Sequence, residues 1–141
     1  MDKNTSISSL KDRLNKDIND IEAALTLGNI YYDNENPSQS IVYYRHALEI
    51  NPAMPGALTD MGAMYWRNDD IGLAEKAFRD AIAQDSGFGY AYVNLGMLLK
   101  LAKNNVLEAR SVWQKLIAIN PDHAVADKAR ELLKETATAI Y

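Results

Sequence analysis

The chain is predicted to be all-α, a solenoid of three stacked helical hairpins with one further helix at each end. Three observations carry that expectation. Gly28, Gly62 and Gly96 stand 34 residues apart. The bulky aromatics Tyr44, Phe78 and Trp113 follow at steps of 34 and 35 residues. The hairpin ends Pro52, Ser86 and Pro121 keep the same two steps. A period near 34 in a helical sequence marks stacked helix–turn–helix units.

The unit is clearest over residues 55–86. Leu58, Met61 and Tyr65 recur at helical spacing and form one apolar stripe. Gly62 lies on that stripe, where a mid-helix glycine costs about 1 kcal/mol against alanine. The cost makes sense if a second helix approaches too closely for any larger residue. Ala74, Ala77 and Ala81 supply small residues on that second helix, with Phe78 filling the gap between them.

In chain order, Ile7, Leu10, Leu14, Ile18 and Ile21 recur at three- and four-residue steps. They predict an amphipathic helix within residues 1–20, beginning after Thr5 or Ser6. It either covers the open end of the first hairpin or acts as an arm that pairs with another chain or lies in its own groove. The first unit, 21–54, places helices at 21–34 and 37–50. Asn36 is a capping residue there, and Pro37 at the first helical position loses no needed hydrogen bond. Asn51-Pro52 ends the second helix, because a residue before proline is pushed out of the helical region. The second unit, 55–88, places helices at 55–67 and 71–84. Asp69-Asp70 supplies its turn and its cap, with negative charge against a helix N-terminus. The third unit, 89–123, places helices at 89–102 and 105–119, with Gly87 and Gly89 loosening the connection before it. A last helix starts at Asp122 or His123, capped by Asp122, and runs to about Glu135. It turns Val125, Ala129 and Leu132 or Leu133 toward the third unit. The tail from Thr136 to Tyr141 is expected to fray.

These residues together resemble the tetratricopeptide repeat. Repeat one carries Ala24, Leu27, Gly28, Tyr31, Ser40, Tyr44, Ala47 and Pro52 at the family's positions. Repeat two carries Leu58, Met61, Gly62, Tyr65, Ala74, Phe78, Ala81 and Ser86. Repeat three carries Tyr92, Leu95, Gly96, Leu99, Ala109, Trp113, Leu116 and Pro121. It departs from the pattern in one extra turn residue near Lys103–Asn105, and in Leu116 where the family prefers alanine. The resemblance covers about 21–121.

The resemblance implies a right-handed solenoid whose concave side is lined by the first helix of each hairpin. In the family, ligand contacts come mainly from those helices, off the core stripe. Carried over, they are Glu22, Leu25, Asn29, Tyr32 and Asp33, then Thr59, Asp60, Ala63, Trp66 and Arg67, then Tyr90, Val93, Asn94, Met97 and Lys100. Tyr32, Trp66, Tyr90 and Met97 would give the groove an apolar floor. Asn29 and Asn94 are placed to bond a peptide backbone, and Arg67 and Lys100 to hold acidic groups. Some members clamp the C-terminal carboxylate of chaperone tails with two lysines, two asparagines and an arginine. The matching positions here are Leu25, Asn29, Asp60, Tyr90 and Asn94. Only Asn29 fits, and Asp60 would repel a carboxylate, so that role is not expected. The implied function is a non-catalytic adaptor that holds a peptide or helix of a partner protein in the groove. The alternatives are a self-assembling module joined through the N-terminal helix, and an assembly factor. For the latter, Trp113–Leu133 loosely resembles repeat proteins that escort apocytochromes in cytochrome c maturation.

Composition narrows the rest. The 141 residues suggest one domain, and 48% hydrophobic with 24% charged residues describes an ordered globular chain. The net charge is −4. Residues 1–99 hold 8 basic and 14 acidic side chains, and residues 100–141 hold 7 and 5. An acidic body disfavours phosphate neutralisation, so no nucleic-acid partner is expected. No stretch approaches the roughly 18 apolar residues of a membrane span. Cysteine is absent, which excludes disulfides and thiolate metal sites. The N-terminus lacks the features of a secretory signal, and a cytoplasmic location is expected. His46 and Glu49, three apart on one helix, make only two ligands, and both are assigned to the outer face. His123 is expected to be exposed. Asp33-Asn34-Glu35-Asn36 lacks the glycine and distal glutamate of a calcium loop. No catalytic residues, metal or cofactor are therefore expected.

Overall fold

The computed structural model describes residues 3–138, with side chains from residue 7 onward. Among the described residues it contains eight helices and no strand. They are α1 (Lys3–Lys16), α2 (Ile21–Asp33), α3 (Pro37–Ile50), α4 (Pro55–Arg67), α5 (Ile71–Gln84), α6 (Gly89–Leu101), α7 (Val106–Ile119) and α8 (Ala126–Thr136). α2 and α3, α4 and α5, and α6 and α7 pack as antiparallel pairs, with α1 against α2 and α8 against α7.

Local chemistry starts several of these helices. The Asp20 side chain accepts from the Ala23 amide at 3.0 Å and so caps α2. Asn36 does the same for α3, accepting from Gln39 N at 3.3 Å, with Pro37 in the first turn. Asn105 caps α7 through Glu108 N at 3.1 Å, and its amide donates back to the Glu108 carboxylate at 3.1 Å. This is reciprocal capping at a helix start.

The hairpin turns are variants of one design. Glu35, Asp69 and Asn104 each hold positive φ, at 56°, 62° and 51°. The amides of Asn36 and Asp70 bond Tyr31 O and Tyr65 O, five residues back, whereas Asn105 N reaches Leu99 O across six. The extra residue of the third unit is therefore absorbed in its turn.

The periodic glycines set the hairpin spacing. A Cβ built on Gly28 would lie 2.7 Å from the Tyr44 ring, and one on Gly62 would lie 2.6 Å from Phe78. On Gly96 it would lie 2.0 Å from Trp113 Nε1. In each pair the aromatic of the second helix packs against the bare backbone of the first. Ala74 and Ala81 line the same core, and Leu27, Leu95 and Leu116 are fully buried or nearly so.

The first helices form the inner row. The backbones of α2 and α4, of α4 and α6 and of α6 and α8 approach closely, while those of α3, α5 and α7 stand further apart, with the long Arg79 side chain of α5 reaching Glu108 of α7 at 2.8 Å. Inner helices packed closely and outer helices splayed apart give a curved solenoid, concave along α2, α4 and α6.

The ends depart from the sequence-based expectation. α1 begins at Lys3 rather than after Thr5 or Ser6, and it stops at Lys16. Ile18 is therefore off the apolar stripe and 63% exposed, in the turn before α2. Asp70 occupies the position before α5, but its side chain caps no amide and accepts from Asn68 Nδ2 instead. α8 starts at Ala126, not at Asp122 or His123, and Asp122 is exposed and caps nothing. The reason lies in His123, which folds back on α6. The amides of Gly89 and Val125 approach its Nε2 and Nδ1 at 3.3 and 3.1 Å, so one or the other is accepted according to tautomer. His123 is thus partly buried rather than exposed, and Gly89 makes room for its ring rather than loosening a connection. Thr136 is 1% exposed and does not begin a frayed tail. Its hydroxyl donates to Leu132 O and accepts from Arg110 at 2.8 Å. Residues 139–141 of the expected tail lie outside the described residues.

Candidate docking groove

Helical spacing brings the groove residues together. Asn29, Tyr32 and Asp33 share one face of α2, and Asp60, Ala63 and Arg67 share one face of α4, with Trp66 beside them. Between these helices and α6 lies an open cavity of about 410 Å3, lined by Tyr32, Ala63, Trp66, Arg67, Phe78 and Asn94. Five of the six were expected from sequence to face the groove. Phe78 was expected only as core filler. It packs beneath Gly62, and the missing side chain there lets the edge of its ring reach the cavity floor.

The rest of the expected groove residues divide. Asn29 is exposed and accepts the Tyr44 hydroxyl hydrogen, which fixes its amide. Val93 and Met97 are partly buried against the core, and the Val93 carbonyl lies 3.4 Å from the Trp113 indole nitrogen. Lys100 is half-buried further along α6. Tyr90 is 48% exposed, but it does not line the cavity. It stands beyond it, edge-on to His123 at 5.2 Å and beside Phe88 at 5.6 Å. Leu25 packs partly into the core, and Glu22 lies 3.7 Å from Arg13 of α1. Thr59 is a correction: it is 3% exposed and donates to Pro55 O at 2.8 Å. It sits on the core side of α4, so it faces no groove.

The charges are unevenly served. Arg67 lies 3.7 Å from Glu35 and over the Tyr32 ring at 5.9 Å. Among the described residues, Asp33 and Asp60 form neither an ion pair nor a hydrogen bond. Burial, and then the Asp33 carboxylate, push the Asp60 pKa up to about 6. Burial and the same acidic neighbourhood raise the Tyr44 hydroxyl. Asp60 was legible in the sequence as a charge that repels carboxylates. Its desolvation was not, because it depends on α2 lying alongside.

Other candidates fall elsewhere. His46 and Glu49 lie on the outer side, where the His46 ring meets Ile18 O at 2.6 Å and Glu49 at 3.9 Å. A depression of about 420 Å3 opens on that side between α3, α4 and α5, lined by residues including Arg45, Leu58 and Gln84. Among the described residues no cluster of three histidines or acids could hold a metal. No described helix is long and apolar enough to cross a membrane.

A curved row of helical hairpins with an aromatic cavity on its inner face defines a helical-repeat module. The profile of the tetratricopeptide repeat matches residues 21–54, the first hairpin. The chain is 31% identical over 86 residues to the photosystem I assembly protein Ycf3 of Cyanophora paradoxa, a match covering 61% of this chain. That match spans 47% of the relative's length, about half. Its fold is shared with MamA at a TM-score of 0.77 and 23% identity, covering 96% of this chain and 90% of MamA. The first repeat domain of Spaghetti (RPAP3) bound to an HSP90 peptide aligns at 0.69 and 20% identity, over 83% and 95% of the two chains. The TPR2B domain of yeast Sti1, in complex with an Hsp70 peptide, aligns at 0.75 and 16% identity, over 84% and 97%.

Proposed function

We propose that this chain is a non-catalytic adaptor that holds a peptide segment of a partner protein against its concave face. The observation that carries the reading is the aromatic cavity of about 410 Å3 between Tyr32, Trp66 and Phe78. An apolar recess with a few polar groups at its rim is the usual form of a binding site. Units 21–54, 55–88 and 89–123 build the groove, and 1–20 and 122–141 flank it. The mechanism is preorganisation, since packed hairpins lose little freedom on binding. Two of the structural neighbours hold chaperone peptides, which supports peptide docking on this architecture. The peptide on Spaghetti, SRMEEVD, is acidic. Here the corresponding groove carries Asp60, which argues for a different clientele. The Ycf3 relative favours a second reading within the same class, a factor that holds a subunit while a larger complex is assembled. Cytoplasmic residence belongs to the same proposal, supported by the absence of cysteine.

The test is capture from an extract of the source organism on immobilised wild-type chain and on Trp66→Ala, read by quantitative mass spectrometry. A groove partner is depleted by Trp66→Ala, whose expected cost is about 2 kcal/mol in affinity. It is retained by a control substitution on the outer face, such as Leu73→Ser, and both variants keep the wild-type helical circular dichroism. Equal capture by wild type and Trp66→Ala would falsify the groove assignment.

A further inference from the structure

We propose that the occupant of the groove is a segment of a partner protein in which a lysine or arginine lies beside an apolar anchor, the anchor entering the Tyr32–Trp66–Phe78 cavity and the cation reaching Asp60 and Asp33. The inference rests on the groove reading above and adds the chemistry of the partner.

Charge complementarity decides it. The stripe Asp60, Ala63 and Arg67 runs along α4 into the cavity lined by Ala63 and Arg67. Asp60 is one helical turn from Ala63 and Asp33 follows Tyr32 on α2, and the two carboxylates act on one another, so they lie near the recess without lining it. Of the cations at this end, Arg67 is held by Glu35 and the Tyr32 face. No described cation neutralises Asp60 or Asp33. A carboxylate that has lost part of its water without gaining a partner is costly, and one beside a second carboxylate more so. An ammonium or guanidinium arriving with the ligand removes both costs at once. A second copy of this chain suits the site less well. The body that would have to approach, residues 1–99, carries an excess of six acidic side chains.

The experiment selects random 12-residue peptides displayed on phage against the full chain at pH 7.5. Enriched peptides are synthesised with each cation kept or changed to Gln, and titrated by fluorescence anisotropy. The expected result is enrichment of Lys or Arg two to four residues from an aromatic or leucine. Its change to Gln weakens binding on the order of tenfold against wild type, and far less against Asp33→Asn/Asp60→Asn, the mark of a direct coupling. The inference is overturned if selection returns acidic or uncharged peptides, or none. It is overturned equally if the change to Gln costs the same against the double variant, or if the wild type self-associates and Trp66→Ala dissociates it. Binding that survives Trp66→Ala unchanged sinks the groove reading itself. Binding lost in Trp66→Ala but indifferent to cations sinks only the charge assignment.

Discussion

At the scale of single residues, Asp60 is the position where fold and proposed function pull apart. Its carboxyl titrates near 6 in the folded chain, against an ordinary value near 3.9. The groups that shift it come from neighbouring elements. Burial acts first, and Asp33 of α2 adds its charge, while Tyr44 of α3 faces the same space and donates to Asn29. Because the folded pKa is raised, the folded state holds a proton that the unfolded chain has released between about pH 4 and pH 6. Stability from this group therefore falls as pH rises through that window. Asp60→Asn removes the penalty. With the shift discounted for partial solvent exposure, the variant is expected to be about 1 kcal/mol more stable at pH 7.5. The gain should shrink to about a third of that at pH 4.5. Paired thermal melts at the two pH values check it, and a variant that melts below wild type at pH 7.5 would contradict the uncompensated burial. A residue that weakens the free protein in this way has the character of a binding residue.

At the scale of elements, the hairpin rests on a ring lying on a glycine. That much was readable in advance, because Gly28, Gly62 and Gly96 carry their period in the chain itself and the aromatics keep step with them. What was not readable follows from contacts between elements. Pro121-Asp122 has the local form of a helix start, yet His123 folds onto Gly89 and Tyr90 and delays α8 to Ala126. Thr136 looks like a fraying end until Arg110 of α7 reaches it. Thr59 is one residue from a groove position, and that rotation of about 100° turns it into the core. The glycine contacts also rank a substitution series. Gly62→Leu forces a branched side chain into the Phe78 ring and is expected to cost about 1–3 kcal/mol. Gly96→Ala adds a single methyl, but at 2.0 Å from Trp113 Nε1. Trp113 is fully buried and cannot swing out to solvent, so this small change should cost as much. Urea unfolding gives both values, and a Gly96→Ala variant as stable as wild type would mean that the ring and the glycine do not set the interhelix distance.

At the scale of the whole molecule, a solenoid couples only neighbours, so its ends are its weak points. At the C-terminal end α8 turns Ala126, Ala129 and Leu132 inward, and its outer face is charged. At the N-terminal end α1 lays Leu10 and Leu14 on Ala23, Ala24, Leu27 and Ala47. It is also held by Arg13 on Asp20 at 3.1 Å and by Lys11 over the Tyr31 ring, which stacks on Tyr43 at 5.7 Å. The two uses of this helix, end cover and exchange arm, make different predictions for a chain lacking residues 1–18. This deletion keeps Asp20 and hence the cap of α2. If α1 is a cover, its loss exposes the Leu27 face and removes two buried leucines. That lowers stability by about 3 kcal/mol while the chain stays monomeric at low concentration. If α1 serves as an arm between chains, the intact protein is the oligomer and the deletion dissociates it with little change in unfolding. The anchoring of α1 by apolar, ionic and aromatic contacts on its own chain favours the cover. Light scattering combined with thermal unfolding of both lengths decides between them, and an oligomeric intact chain that the deletion renders monomeric at unchanged stability would overturn the expectation.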